Sequence, residues 1–303
     1  MFNKITIIGI GMIGSSIARV IKREKLAKNL TAYDSNRDYL RKALELGIVD
    51  EINEDVVEAV KDAELIMYCS PVGTYSDITK NIMPFLKEGT IITDVGSVKK
   101  CAIRDIEKYI SDDSGVILVA GHPVAGIEKS GPEVGFAEMF EDRWFIITPS
   151  ARSTEEAITQ VSNLWSKAKM KVDIMTPKHH DKVMAAVSHL PHLIAFSIVG
   201  TVADLEGYEQ QEIIKYSASG FRDFTRIAGS DPTMWRDIFL NNKETILELI
   251  QRFVEDLIAL QRNIRWNEGD ELFRLFSRTQ KIRKEVIEAK QHQMEEEKRL
   301  SHK

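Results

Sequence analysis

Three observations predict the fold class. A β-branched apolar run, Lys4 to Ile8, leads straight into Gly9-Ile10-Gly11-Met12-Ile13-Gly14; apolar runs then alternate with amphipathic segments; and strand signals stop after Pro177. Together they predict an α/β chain: an N-terminal Rossmann-type, doubly wound, mostly parallel sheet followed by an all-helical C-terminal dimerisation domain. The expected boundaries are 1–176 for the sheet half, 177–290 for the helical half and 291–303 for a charged tail.

The first strand is short and uniformly apolar, as in a strand buried on both faces. In the GxGxxG turn, Gly9 permits the tight turn, Gly11 lets backbone approach a pyrophosphate, and Gly14 lets the helix from Ser15 to Lys22 pack on the strand. Leu30 to Tyr33 reads as a second strand ending at Asp34, and 34 minus 14 places this acid 20 residues past the last glycine. An acid there accepts ribose hydroxyls and repels a 2′-phosphate, which favours NAD over NADP, with Arg37 leaving NADP open.

Further helices are expected over Arg37 to Leu46, Val56 to Lys61 and Ile78 to Leu86, with a turn and short strand at Gly47 to Asp50. Strands are expected over Leu65 to Cys69, Thr90 to Val95, Val116 to Ala120, Trp144 to Pro149 and Lys171 to Met175, with a helix from Glu155 to Ala168 before the last. In such sheets ligands bind at the carboxyl ends of the strands, where three loops present Ser70, Ser97 and His122. Each serine taken alone reads as a helix cap or turn former rather than a functional group. His122, followed by Pro123 and Gly126, is expected in a tight loop opening from its strand, either as a satisfied polar residue or as a functional one.

The segments His179 to Asp204, Pro232 to Arg265 and Leu272 to Lys290 show helical spacing. His179 and His180 read as an exposed helix start. Pro191 lies inside a helical pattern and sets His189 and His192 on one side of a kink. No carboxylate or cysteine stands at ligand spacing from them, so no metal is expected. Arg222, Arg226 and Arg236 read singly as surface ion-pair residues, any of which would make a carboxylate fork if it faced the crevice. Leu247, Ile250, Phe253, Leu257 and Leu260 give more apolar surface than one helix face needs, which predicts a homodimer or a private helical core.

Composition excludes several classes. The 303 residues are 43% hydrophobic and 29% charged with a net charge of -5, without the basic footprint of nucleic-acid binding. The longest uninterrupted apolar run, near Leu193 to Ala203, falls short of the ~20 residues of a membrane span. No secretory leader is visible, and Cys69 and Cys101 make no disulfide framework, so the cytoplasm is expected.

Several stretches in this order resemble the prephenate and arogenate (cyclohexadienyl) dehydrogenases of tyrosine biosynthesis. They are the glycine motif, Asp94 to Lys99, Gly121 to Gly131, Ser188 to His192, Phe221 to Ala228 and Asp231 to Arg236, covering residue 1 to about 265. Ser217 to Gly220 departs from the glycine-rich segment of some members. No regulatory or mutase domain is expected beside these stretches, and the allosteric control of larger relatives is not implied.

The resemblance implies hydride removal from prephenate to NAD with loss of the ring carboxylate. His122 then accepts the hydroxyl proton, Ser97 hydrogen-bonds the same hydroxyl, and Arg226 binds a substrate carboxylate. His189 and His192 line the substrate pocket, His192 at the pyruvyl end, and Trp235 either walls it or packs in the core. Gly9, Gly11, Gly14, Asp34 and Ser70 hold the cofactor. Arogenate as substrate, a β-hydroxyacid dehydrogenase and a non-catalytic NAD sensor are the competing readings.

Overall fold

The computed structural model describes residues 1–204, 215–216 and 219–288. The first elements are β1 (Phe2–Ile8), α1 (Met12–Arg23), β2 (Ala27–Tyr33), α2 (Arg37–Glu45), β3 (Glu51–Ile52), α3 (Val56–Val60), β4 (Leu65–Tyr68) and α4 (Tyr75–Ile82). β5 (Ile91–Asp94), α5 (Lys99–Glu107), β6 (Ile117–Pro123), β7 (Trp144–Pro149), α6 (Glu155–Lys167) and β8 (Lys171–Ile174) follow. The strands form one sheet in the order β3-β2-β1-β4-β5-β6-β7-β8, and of the neighbouring pairs β6 and β7 are antiparallel and the others parallel.

Alternate residues of the central strands enter opposite layers, as the two-residue period requires. Ile7, Met67 and Val119 join a core with Ile17, Phe145 and Trp165, whereas Ile8, Ile66, Tyr68 and Leu118 join a second core. Both faces are therefore covered, which is why these strands read as continuous apolar runs. Trp235 and Ile238 complete the second core, so the helix that carries them packs with the sheet half.

Three local expectations are corrected. The strand near Gly47 lies at Glu51–Ile52, after the turn. The α4 region starts at Tyr75 and ends in a 3-10 turn, Met83–Phe85, where Pro84 cannot donate the next helical bond. His122 is not in a loop: β6 continues through it, because antiparallel β7 pairs His122 with Ile146 and Pro123 with Phe145. That packing requires a glycine at 121, since a Cβ there would stand 2.2 Å from Phe145 Cζ.

The helical region comprises α7 (Pro177–Met184), one π turn (Ala185–His189), α8 (Leu190–Ala203), α9 (Ser219–Thr225), α10 (Pro232–Asn241), α11 (Lys243–Arg265) and α12 (Gly269–Glu288). Pro191 lacks the N–H that α-helical pairing needs, and the chain takes the wider π turn just before it. The helix nonetheless runs unbroken from Pro177 to Ala203 and is, by length and composition alone, long and apolar enough to cross a membrane, a criterion that a core helix also meets. Its buried His180, Asp181, Met184, Ala185 and His189 mark the face against the sheet half, where α7 meets α5 and β7.

Contacts divide the chain into Met1–Ile246 and Leu247–Lys303. The described part of the second unit holds the rest of α11 and α12, with Leu247, Leu257, Phe273 and Phe276 exposed on the single chain. Ser217, Ala218 and the expected tail 291–303 lie outside the described residues.

Candidate active site

The glycine turn performs three separate steric tasks. Gly9 has φ +97° and a Cβ on it would meet Ser70 N at 2.6 Å, so the turn lies directly on the loop after β4. A Cβ on Gly14 would stand 2.0 Å from the Gly9 carbonyl oxygen, whereas one on Gly11 would meet nothing within 4 Å. Gly11 thus faces open space at the start of α1, whose first turn has no side-chain cap. Unpaired N–H groups at the positive end of a helix dipole fit a diphosphate. Asp34, at the end of β2, accepts Ile10 N–H and Asn36 N–H, each at 2.8 Å. Burial raises its pKa and these two bonds oppose the rise. Arg37 is turned to Glu54 at 3.0 Å, and Ser70 Oγ pairs with Thr74 Oγ1 at 2.8 Å.

At the carboxyl end of β6, His122 Nδ1 lies 2.9 Å from His180 Nε2, and His180 Nδ1 lies 2.9 Å from Asp181 Oδ1. The carboxylate accepts, so His180 Nδ1 carries the proton and its Nε2 has a lone pair. His122 Nδ1 then donates to that lone pair, and His122 Nε2 is left as the acceptor. Burial, then the neighbouring His180, Lys99 and His189, holds the His122 pKa well below its ordinary value. Burial also lowers His180, against the Asp181 hydrogen bond. Asp181 is itself pushed up by burial, but bonds from His180 and from the Lys99 and Lys100 backbone N–H groups outweigh this and keep it ionised.

Sequence reasoning missed His180 and Asp181. His180 is fully buried, in contrast to the exposed helix start expected of it. The signal was helical spacing: residues 180, 181, 184, 185 and 189 form one buried stripe.

Asn242, also missed, donates to the Asp181 carbonyl at 3.0 Å and lies 3.2 Å from His189 Nδ1. His189, expected to line a substrate pocket, has no accessible surface. Burial brings its pKa down to about 4. Its ring meets Trp235 edge-on, and His192 stacks on Trp235 at 3.7 Å between centroids. His192 Nδ1 donates to the Ser188 carbonyl at 2.9 Å, and burial lowers its pKa. Glu128 and Arg226 both act on the His192 ring and form an ion pair with each other. Glu128 therefore competes for the guanidinium that the sequence offered to a substrate carboxylate. Ser97 lies half-buried between β5 and α5, beside His122's strand, and makes no side-chain hydrogen bond among the described residues.

A cavity of about 900 Å³ opens at the other end of the sheet, lined by Phe2, Leu26, Ile91, Ile117 and Leu164. It holds none of these polar groups.

Comparison with known proteins identifies the family. A family model for the prephenate dehydrogenase nucleotide-binding domain matches residues 17–174, and one for the prephenate dehydrogenase dimerization domain matches 176–278. The cyclohexadienyl dehydrogenase of Zymomonas mobilis is 37% identical, over 93% of this chain and 96% of its own. The prephenate dehydrogenase of Bacillus subtilis is 32% identical, over 91% and 74%. Among solved structures, Aquifex aeolicus prephenate dehydrogenase in complex with hydroxyphenyl propionate and NAD+ is similar at TM-score 0.87 and 35% identity, covering 94% of this chain and 99% of that one. Synechocystis arogenate dehydrogenase is similar at TM-score 0.75 and 26% identity, over 93% and 99%. The chain belongs to the prephenate dehydrogenase family.

Proposed function

We propose that this protein catalyses the NAD-dependent oxidative decarboxylation of prephenate to 4-hydroxyphenylpyruvate, with His122 as the proton acceptor. The observation that carries this reading is the chain Asp181–His180–His122, which leaves a lone pair on His122 Nε2. When bound, NAD supplies the hydride acceptor. Gly11, the uncapped start of α1 and Asp34 hold it, with Ser70 in the adjoining loop. His122 takes the ring hydroxyl proton as the C–H bond breaks and the ring carboxylate leaves as carbon dioxide, a base contribution of roughly 10²- to 10⁴-fold. His180 spreads the positive charge that forms and Asp181 stabilises it. Ser97 orients the hydroxyl. Arg226 binds a substrate carboxylate in place of Glu128, Trp235 and His192 wall the pocket, and His189 supports Trp235 from behind.

One observation favours arogenate as a second substrate. His192 gives its Nδ1 proton to Ser188, so its neutral ring presents an acceptor, which suits an ammonium better than a carboxylate. We further infer that the functional division falls at 176/177, that residues 177–290 form a homodimer through their exposed apolar helices, and that the free Cys69 and Cys101 belong to a reducing cytoplasm. NADH formation with prephenate and with arogenate tests the reading. Turnover of prephenate is expected, and turnover of neither overturns it.

A further inference from the structure

Asp94 and Lys99 form a buried ion pair, 2.5 Å from Oδ2 to Nζ, with both side chains at 0% exposure. Desolvating two ions costs several kcal/mol each, so such a pair persists only where further hydrogen bonds satisfy it. Here those bonds converge on the catalytic strand ends. Lys99 Nζ donates to the Gly121 carbonyl at 2.5 Å, and Gly121 N–H donates to Asp94 Oδ1 at 3.1 Å. Gly96 N–H donates to Asp94 Oδ2 at 2.9 Å. Gly121 precedes His122 and Gly96 precedes Ser97. The Lys99 backbone N–H meanwhile donates to Asp181 Oδ1 at 2.7 Å, the oxygen that receives His180.

We propose that the Asp94–Lys99 pair is a positioning device that holds His122, Ser97 and the His180–Asp181 relay in one fixed geometry. The proposal rests on the dehydrogenase reading for what that geometry accomplishes. The pair grips both polar backbone atoms of Gly121, so the strand end that carries His122 cannot slide without breaking a buried charge contact. A neutral side chain at 99 would fill the space but leave the Gly121 carbonyl without this donor. The groups facing the His122–His180 pair are Asp181 from α7, Lys99 from α5, Asp94 from β5 and His189 from the π turn. Among them the Lys99 ammonium opposes protonation of His122.

The test compares full-length Lys99→Met, Lys99→Arg and the double variant Asp94→Asn/Lys99→Met with wild type. Two readouts are used: kcat and KM against pH with prephenate and NAD, and substrate-free NMR titration of the labelled histidine rings. Lys99→Met is expected to lower kcat about 10²-fold, the scale of a ~1 Å misplacement, with KM for NAD little changed. Its acid limb and its His122 titration should move to higher pH, because a cation is lost. Lys99→Arg keeps the charge and loses the fit, so kcat should fall with the acid limb in place. If Lys99→Met does not fold, the double variant, which buries no unpaired charge, serves the same comparison. A folded variant with wild-type kcat, acid limb and His122 titration overturns the proposal. Wild-type protein that turns over neither prephenate nor arogenate overturns the dehydrogenase reading instead, and the substrate-free titration still decides whether Lys99 acts on His122.

Discussion

His122 Nδ1 lies 2.9 Å from His180 Nε2, and that contact determines which nitrogen of His122 is free to act as a base. Because Asp181 fixes the His180 tautomer, the three side chains should behave as a unit. His122→Asn is expected to lower kcat by about 10²- to 10⁴-fold while KM changes little. His180→Ala should do much of the same damage, and the double variant should be hardly worse than His122→Asn alone. Steady-state kinetics of the two single variants and the double variant check this. Fully multiplicative losses would show that the residues act independently.

Gly11 and Gly14 should separate folding from cofactor binding. A methyl on Gly14 meets the Gly9 carbonyl, so Gly14→Ala should destabilise the chain by about 1–3 kcal/mol or more. A methyl on Gly11 meets no protein atom, so Gly11→Ala should keep the wild-type unfolding midpoint and bind NAD more weakly. Denaturation curves and NAD titrations of both variants decide the matter. Unchanged NAD affinity in folded Gly11→Ala would count against the phosphate site.

Stability should fall on acidification. His122, His180, His189 and His192 are all held below their ordinary pKa of 6.5, burial being the largest cause in each. The unfolded chain therefore binds more protons once the pH drops below about 6.5, and stability declines from there downward. For His189, down at about 4, the window runs from about pH 6.5 to about 4. At 1.36 kcal/mol per pKa unit, this one ring accounts for about 3 kcal/mol across it. Urea midpoints should be lower at about pH 5 than at about pH 7.5. Midpoints that do not move would falsify the assignment of four neutral buried rings.

Arg226→Ala should act on binding. Losing a charge-assisted partner for a substrate carboxylate is expected to raise KM for prephenate about 10- to 100-fold with a smaller effect on kcat. Glu128→Gln, which weakens the ion pair that occupies Arg226, should lower KM. If KM stays constant in both variants, Arg226 does not meet the substrate.

Local chemistry carries its own signal, and the sequence by itself determined what is local. β1, the GxGxxG turn, α1 and the position of Asp34 at the end of β2 follow from steric rules that act within a few residues. The same holds for the succession of strands before Pro177 and helices after it. His122 and Arg226 stand out by residue type and by family resemblance.

Tertiary structure decided everything that depends on a partner far along the chain. His180 looks like a surface residue beside His179 until α7 is laid against the sheet half, and only then does a 58-residue separation become a hydrogen bond. His122 belongs to β6 because β7 returns antiparallel beside it, a pairing that no property of residues 116–126 encodes. In the sequence Lys99 is only a lysine shortly after an expected strand, yet it is fully buried because Asp94 and the Gly121 carbonyl await its charge. Burial converts each of these polar side chains from a solvated group into one that must find its partner, and which partner it finds is set by packing across the whole sheet.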